Sequence, residues 1–202
     1  MKRSILALAG ALGIAMSAAP AFAATTTLDV PTVASAPSLD PHASFGKAAN
    51  ATLAFEASGA RATEPANVHV VRDSTTLYVR FDVPQTEQLI GFAGGDSVAI
   101  DIWPGGNSGD RYHLGVGLDG KHTADSTANT AGWDTAAASL SGGYAVTMKI
   151  PLSAVGSDSR VQFSRWLAST GVVQLWSHDG GQSSDELAQA GTLTFTAAVG
   201  KN

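Results

Sequence analysis

Asp101, Trp103, Arg111 and His113 are the side chains whose types and spacing point to a chemical task. In residues 96–103 (DSVAIDIW) the apolar Val98, Ile100 and Ile102 alternate with Ala99, Asp101 and Trp103. In residues 111–118 (RYHLGVGL) Tyr112, Leu114, Val116 and Leu118 alternate with Arg111, His113, Gly115 and Gly117. Successive side chains of a strand point to opposite faces, so each stretch has one core face and one face carrying the polar and aromatic groups. The segment between them, PGGNSGD at 104–110, is dense in turn residues. Pairing through that turn would bring all four side chains into one patch. An indole beside a carboxylate, a guanidinium and an imidazole can hold a ligand by stacking and hydrogen bonding. Tyr78, Arg80 and Asp82, on the outward face of residues 77–83, would extend the patch. Trp133 and Trp176 sit in or next to loops, where binding residues concentrate. Trp166, which follows Arg165, is expected to pack in the core.

Residues suited to bond-breaking are sparse. Acid–base hydrolysis by paired carboxylates needs two acids flanking one bond, one of them held protonated. Here Glu64, Glu87 and Glu186 fall in loops and Glu56 near a strand end. No Ser occupies a strand–turn–helix elbow. The expectation is therefore a non-catalytic protein. His42, His69, His113, His122 and His178 show neither i, i+4 nor H-x-H spacing, so no transition-metal site is expected. No cofactor is expected beyond a structural Ca²⁺ in the loops, for which Asp119, Asp125, Asp134, Asp179 and Asp185 are the available oxygen donors. A haem would need an axial Met or His, and the one methionine beyond the leader, Met148, alternates inward.

The elements that would position these groups are short strands. In residues 67–85 (NVHVVRDSTTLYVRFDVPQ) Leu77, Val79, Phe81 and Val83 alternate with Tyr78, Arg80 and Asp82. Residues 72–76 (RDSTT) supply a turn whose short polar side chains can bond their own backbone, so the whole reads as a β-hairpin. Further strands are expected at 52–56, 96–103, 111–118, 136–139, 143–150, 161–167, 172–176 and 191–197, with 123–130 a polar loop. Pro151 ends the strand before it, because proline lacks a ladder donor. Asp40 and Pro41 could cap and open a single helical turn, and residues 153–155 a second. The pattern predicts an all-β fold, a two-sheet antiparallel β-sandwich of jelly-roll or immunoglobulin-like type, with a closed barrel as the alternative.

The chain has 202 residues. Lys2 and Arg3, the apolar run 5–16 and Ala21-Phe22-Ala23 together read as a cleaved signal peptide over residues 1–23. Residues 24–36 read as a leader or edge strand, and 37–200 as one domain. Loss of Lys2 and Arg3 leaves ten cationic against seventeen acidic side chains, a net charge of −7. No basic cluster survives, which argues against nucleic acid and anionic membranes as partners. Cysteine is absent, excluding disulfides, thiolate nucleophiles and zinc–sulfur sites. Export without disulfides points to a bacterial periplasmic or secreted protein, expected as a monomer without membrane insertion.

The hairpin, with its N-x-H-V-V-R-D…L-Y-V-R-F wording, resembles the family 9 carbohydrate-binding modules and the sugar-binding domains grouped with them. DSVAIDI followed by YHLGVGLDG, GGYAVTMKIPL at 142–152, then QFSR, QLWS and AGTLTF resemble further strands of that family, in the same order. The resemblance covers nearly all of the chain from about Pro37 onward. It implies a β-sandwich that binds a saccharide, in a family often attached to xylanases and similar glycosidases. Aromatic platforms would cover the apolar faces of the sugar, and planar polar groups would satisfy its hydroxyls. Trp103, Trp133, Trp176, Tyr78, Arg80, Asp101, Arg111 and His113 are the candidates for that task. Relatives of the same sandwich type include haem-binding electron-transfer domains, which is the competing reading, and a structural domain of the envelope is a third.

Overall fold

The computed structural model describes residues 26–84, 95–106, 111–117, 120–124, 131–156, 159–178 and 186–196. The leader 1–23, Glu87, and Asp119, Asp125, Asp179 and Asp185 lie outside the described residues. Among the described residues, thirteen strands form two sheets. The larger has eight strands. Its main path runs β1 (Thr27–Val30), β13 (Gly191–Phe195), β11 (Arg160–Leu167), β6 (Ser97–Trp103), β7 (Tyr112–Gly117) and β8 (His122–Ala124). Here β12 (Val172–Leu175) pairs with β11 and with β3 (Phe55–Glu56). The smaller sheet has five strands in the order β2 (Ala49–Thr52), β4 (Asn67–Arg72), β5 (Thr76–Pro84), β10 (Gly143–Pro151) and β9 (Asp134–Leu140). All pairings are antiparallel except β1 with β13. The architecture is a β-sandwich, and no described helix is long and apolar enough to cross a membrane.

The alternating apolar residues meet between the sheets. Leu77, Val79, Phe81 and Val83 from β5 face Val98, Ile100 and Ile102 from β6 and Val161 and Phe163 from β11 in one buried cluster. Phe81 and Phe163 cross the interface edge to face, with centroids 6.1 Å apart. Met148 is fully buried in the same core. Each large side chain buried this way contributes about 1.5–3 kcal/mol.

The 67–85 hairpin forms as β4 and β5. Its turn is an Asx turn: Asp73 Oδ1 accepts the backbone N–H groups of Thr75 and Thr76, each at 2.8 Å. Burial pushes the Asp73 carboxyl up. The N–H bonds from Thr75 and Thr76 and the Tyr78 hydroxyl outweigh that and hold it below the usual carboxylate range.

Three local expectations change. Residues 52–56 are not one strand. The chain leaves the small sheet after Thr52 and joins the large sheet at Phe55, because buried Leu53 bonds to Ala66 O (2.8 Å) and Ala54 N–H turns back to Thr52 O (2.8 Å). Asp40 does not start a helix. Its Oδ1 takes His42 N–H at 2.9 Å and its carbonyl takes Ala43 N–H at 2.9 Å, which closes an isolated turn. His122–Ala124 is a strand rather than loop, because it ladders onto β7. The helical turn expected near 153–155 is present as α1, Leu152–Val155.

Candidate binding cleft

Strands β6 and β7 pair with Asp101 opposite His113 and Ile102 opposite Tyr112. That register carries Asp101, Arg111 and His113 to the outer face of the large sheet, as the alternation requires. Asp101 Oδ1 accepts from His113 Nδ1 at 2.7 Å and from Arg111 Nε at 3.2 Å. Asp101 is only 8% exposed, so its charge is held by these two cationic or proton-donating neighbours rather than by solvent. Both contacts converge on Oδ1 of this cleft-lining residue.

On the other flank of β6, β11 pairs with Gln162 opposite Asp101, Ser164 opposite Ala99 and Trp166 opposite Ser97. Beyond it β12 places Val173 opposite Trp166 and Leu175 opposite Ser164. These residues line a concave cleft of about 500 Å³, with Ala57 and with Gln189 from α2 (Glu186–Gln189). Its floor is small, Ser97, Ala99 and Ser164. One side is apolar and aromatic, with Trp166, Val173 and Leu175. The other carries Asp101, Arg111, His113 and Gln162. The Gln162 amide is already committed: its Nε2 donates to Ser177 O (2.7 Å) and its Oε1 accepts Ser177 N–H (3.0 Å). Gln162 thus fixes the segment after β12 against the cleft.

Trp166 differs from expectation. It is 42% exposed, the one large hydrophobic side chain so exposed among the described residues. The reason is the parity of β11. Val161 and Phe163 point inward, so Gln162, Ser164 and Trp166 point outward, while Arg165 takes the inward position. The same alternation that singled out Asp101 and His113 carries this signal. It was masked because the inward Arg165 breaks the apolar series.

The other candidates lie elsewhere. Trp103 shares the face of Asp101 but is 3% exposed and does not line the cleft. Trp176 is in the core against Phe163, centroids 5.2 Å apart. Trp133 joins the same core, with its ring edge on His122 at 4.7 Å. Tyr78 and Arg80 are on the outer face of the five-stranded sheet, away from β6 and β7. There Tyr78 packs with Phe45 and Val71 and donates to Asp73 Oδ2 at 2.9 Å. Arg80 pairs with Asp82 at 2.7 Å and donates to Ala43 O. Asp82 also meets His69 Nε2 at 3.0 Å. Burial raises the Asp82 carboxyl, but the bonds from His69 and Arg80 outweigh it and hold it low. The hairpin's outward residues therefore hold Ala43 and Phe45 and do not join the cleft. Asp134 is exposed and bonds Thr135 N–H at 2.9 Å.

No family model matches the sequence, and no curated protein matches it. Solved structures do. A carbohydrate binding module of family 9 from Caldicellulosiruptor kristjanssonii in complex with cellotriose matches at 18% identity and a TM-score of 0.69, over 88% of this chain and 100% of that one. The same organism's module in complex with glucose matches at 17% identity and a TM-score of 0.70, over 88% and 98%. A putative carbohydrate-binding protein from Bacteroides uniformis matches at 14% identity and a TM-score of 0.60, over 86% and 100%. The chain shares the family 9 sandwich fold.

Proposed function

We propose that this protein is an exported, non-catalytic carbohydrate-binding protein whose saccharide occupies the cleft on the outer face of β6, β7, β11 and β12. The observation that carries this reading is the cleft's division into two chemistries. An exposed indole, Trp166, stands over a small-residue floor on one side, and the Asp101–Arg111–His113 cluster stands on the other. A pyranose has both an apolar C–H face and a ring of hydroxyls. It loses about 1–3 kcal/mol for each buried hydroxyl left unpaired, so it needs both sides. The fold shared with modules solved in complex with cellotriose and glucose supports the same reading. Trp166 takes the platform role on this proposal, with Asp101, Arg111 and His113 as hydrogen-bonding partners. The protein acts alone as a monomer, in the periplasm or outside the cell, and assists breakdown of xylan- or cellulose-type polysaccharides. Isothermal titration against xylo- and cello-oligosaccharides, with Trp166→Ala and Asp101→Ala beside the parent, tests it. Heat of binding that both substitutions diminish is expected, and no heat with any oligosaccharide overturns it. An absorption spectrum of the purified protein tests the haem alternative, for which a Soret band would be decisive.

A further inference from the structure

Trp166 stands between two residues bonded to a single buried carboxylate, one through its guanidinium and one through its backbone N–H. Asp96, 7% exposed, immediately precedes β6. Its Oδ2 accepts from Arg165 Nη2 at 3.1 Å, and its Oδ1 accepts the backbone N–H of Ala168 at 3.0 Å. Arg165 is 2% exposed and points inward, opposite to Trp166. Its Nη1 donates to Glu64 O at 3.5 Å. Tyr144, on β10 of the other sheet, lies beside the pair, and burial together with the Asp96 charge keeps its hydroxyl protonated. On the far side of Trp166 the turn 168–171 is closed by Gly171 N–H on Leu167 O at 2.9 Å. Gly171 has φ +67°, and a methyl there would stand 3.8 Å from Cη2 of Trp166, so the turn reaches the edge of the indole. Asp96 therefore holds the strand on one side of Trp166 and, on the other, the turn that abuts its ring.

A buried ion pair is weak evidence of added stability, since desolvation offsets its attraction and apolar replacements of similar volume are often neutral or better. What this pair adds is direction. We propose that Asp96 and Arg165 are positioning residues for the cleft: without touching the ligand, they hold Trp166 at the angle at which it serves as a platform. The ligand-dependent part of this inference rests on the saccharide reading of the cleft.

The test uses Asp96→Leu/Arg165→Met, which removes both charges together, and Ala168→Pro, which deletes the donated N–H and leaves both charges in place. Leu167 is already in a strand, the conformation that a following proline favours. Two readouts are taken at matched thermal midpoints. Acrylamide quenching of tryptophan emission reads chiefly Trp166, because Trp103, Trp133 and Trp176 are 3%, 9% and 5% exposed. Calorimetry against cello-oligosaccharides reads the cleft. Both variants are expected to change the quenching constant at least 1.5-fold and to weaken binding tenfold or more. Parent-like quenching and affinity in a folded variant would overturn the proposal. If the double variant does not fold, Ala168→Pro decides. If the parent binds no saccharide, the functional reading falls, and quenching alone decides whether the pair positions Trp166.

Discussion

Asp101 and His113 are Cα partners across β6 and β7, and Oδ1 of the first lies 2.7 Å from Nδ1 of the second. A carboxylate oxygen only accepts, so the proton of this bond sits on His113 Nδ1, and the same oxygen takes Arg111 Nε. Asp101→Ala removes the shared acceptor from both. Hydrogen bonds to charged groups contribute about 1.5–3 kcal/mol, so affinity for cello-oligosaccharides is expected to fall by about tenfold to a hundredfold. Titration calorimetry measures it, and an unchanged affinity would remove Asp101 from the site.

Trp166→Ala separates binding from stability. Because 42% of Trp166 is exposed, little core is lost, and the thermal midpoint is expected to move by only a few degrees. The stacking surface is lost in full. About 2 kcal/mol of apolar and aromatic contact corresponds to about a thirtyfold weaker complex. Paired calorimetry and thermal melts check this, and a large drop in stability with parent-like binding would reverse the assignment.

Gly191→Ala tests why Trp176 is a core residue. A methyl at Gly191 would stand 2.5 Å from Cζ3 of Trp176 and 2.7 Å from the backbone oxygen of Thr26. Trp176 is packed in the core, and the Thr26 carbonyl, just before β1, is bonded to Thr192 N–H at 2.9 Å, so neither moves aside cheaply. Overpacking of this kind costs about 1–3 kcal/mol. Urea denaturation is the measurement, and a variant as stable as the parent would show that this corner is loosely packed.

Asp73 predicts an acid-side effect. A carboxyl held low in the folded state binds fewer protons than it does in the unfolded chain. Its stabilisation is therefore full above the unfolded value of about 3.9 and is lost as pH falls through the lower folded value. Asp73→Asn keeps an oxygen for the Thr75 and Thr76 N–H groups but cannot titrate. Urea midpoints measured downward from pH 5 should fall less steeply in Asp73→Asn than in the parent. Identical slopes would show that the turn carries no such linkage.

Alternation along single strands made much of this legible. It placed Leu77, Val79, Phe81 and Val83 in the core, set Asp101 and His113 on a common outer face, and kept Met148 inside. It was less informative where a position's face and its exposure part company. Trp103 shares the outward face of Asp101 yet is almost completely buried, whereas Trp166 follows a buried arginine yet is exposed. Tyr78 and Arg80 point outward as their parity requires, but from the other sheet, where they hold Phe45 and Ala43.

Side-chain periodicity is a property of the local backbone, so strand positions, core faces and the Asx turn at Asp73 follow from the residues alone. Which strands become neighbours is set by contacts far apart in the chain. The juxtaposition of β7, β6, β11 and β12 joins His113, Asp101 and Trp166 around one floor. The long-range pairing of Asp96 with Arg165 determines what stands on either side of that tryptophan. No local pattern encodes either, because each depends on how strands far apart in the chain pair within the large sheet.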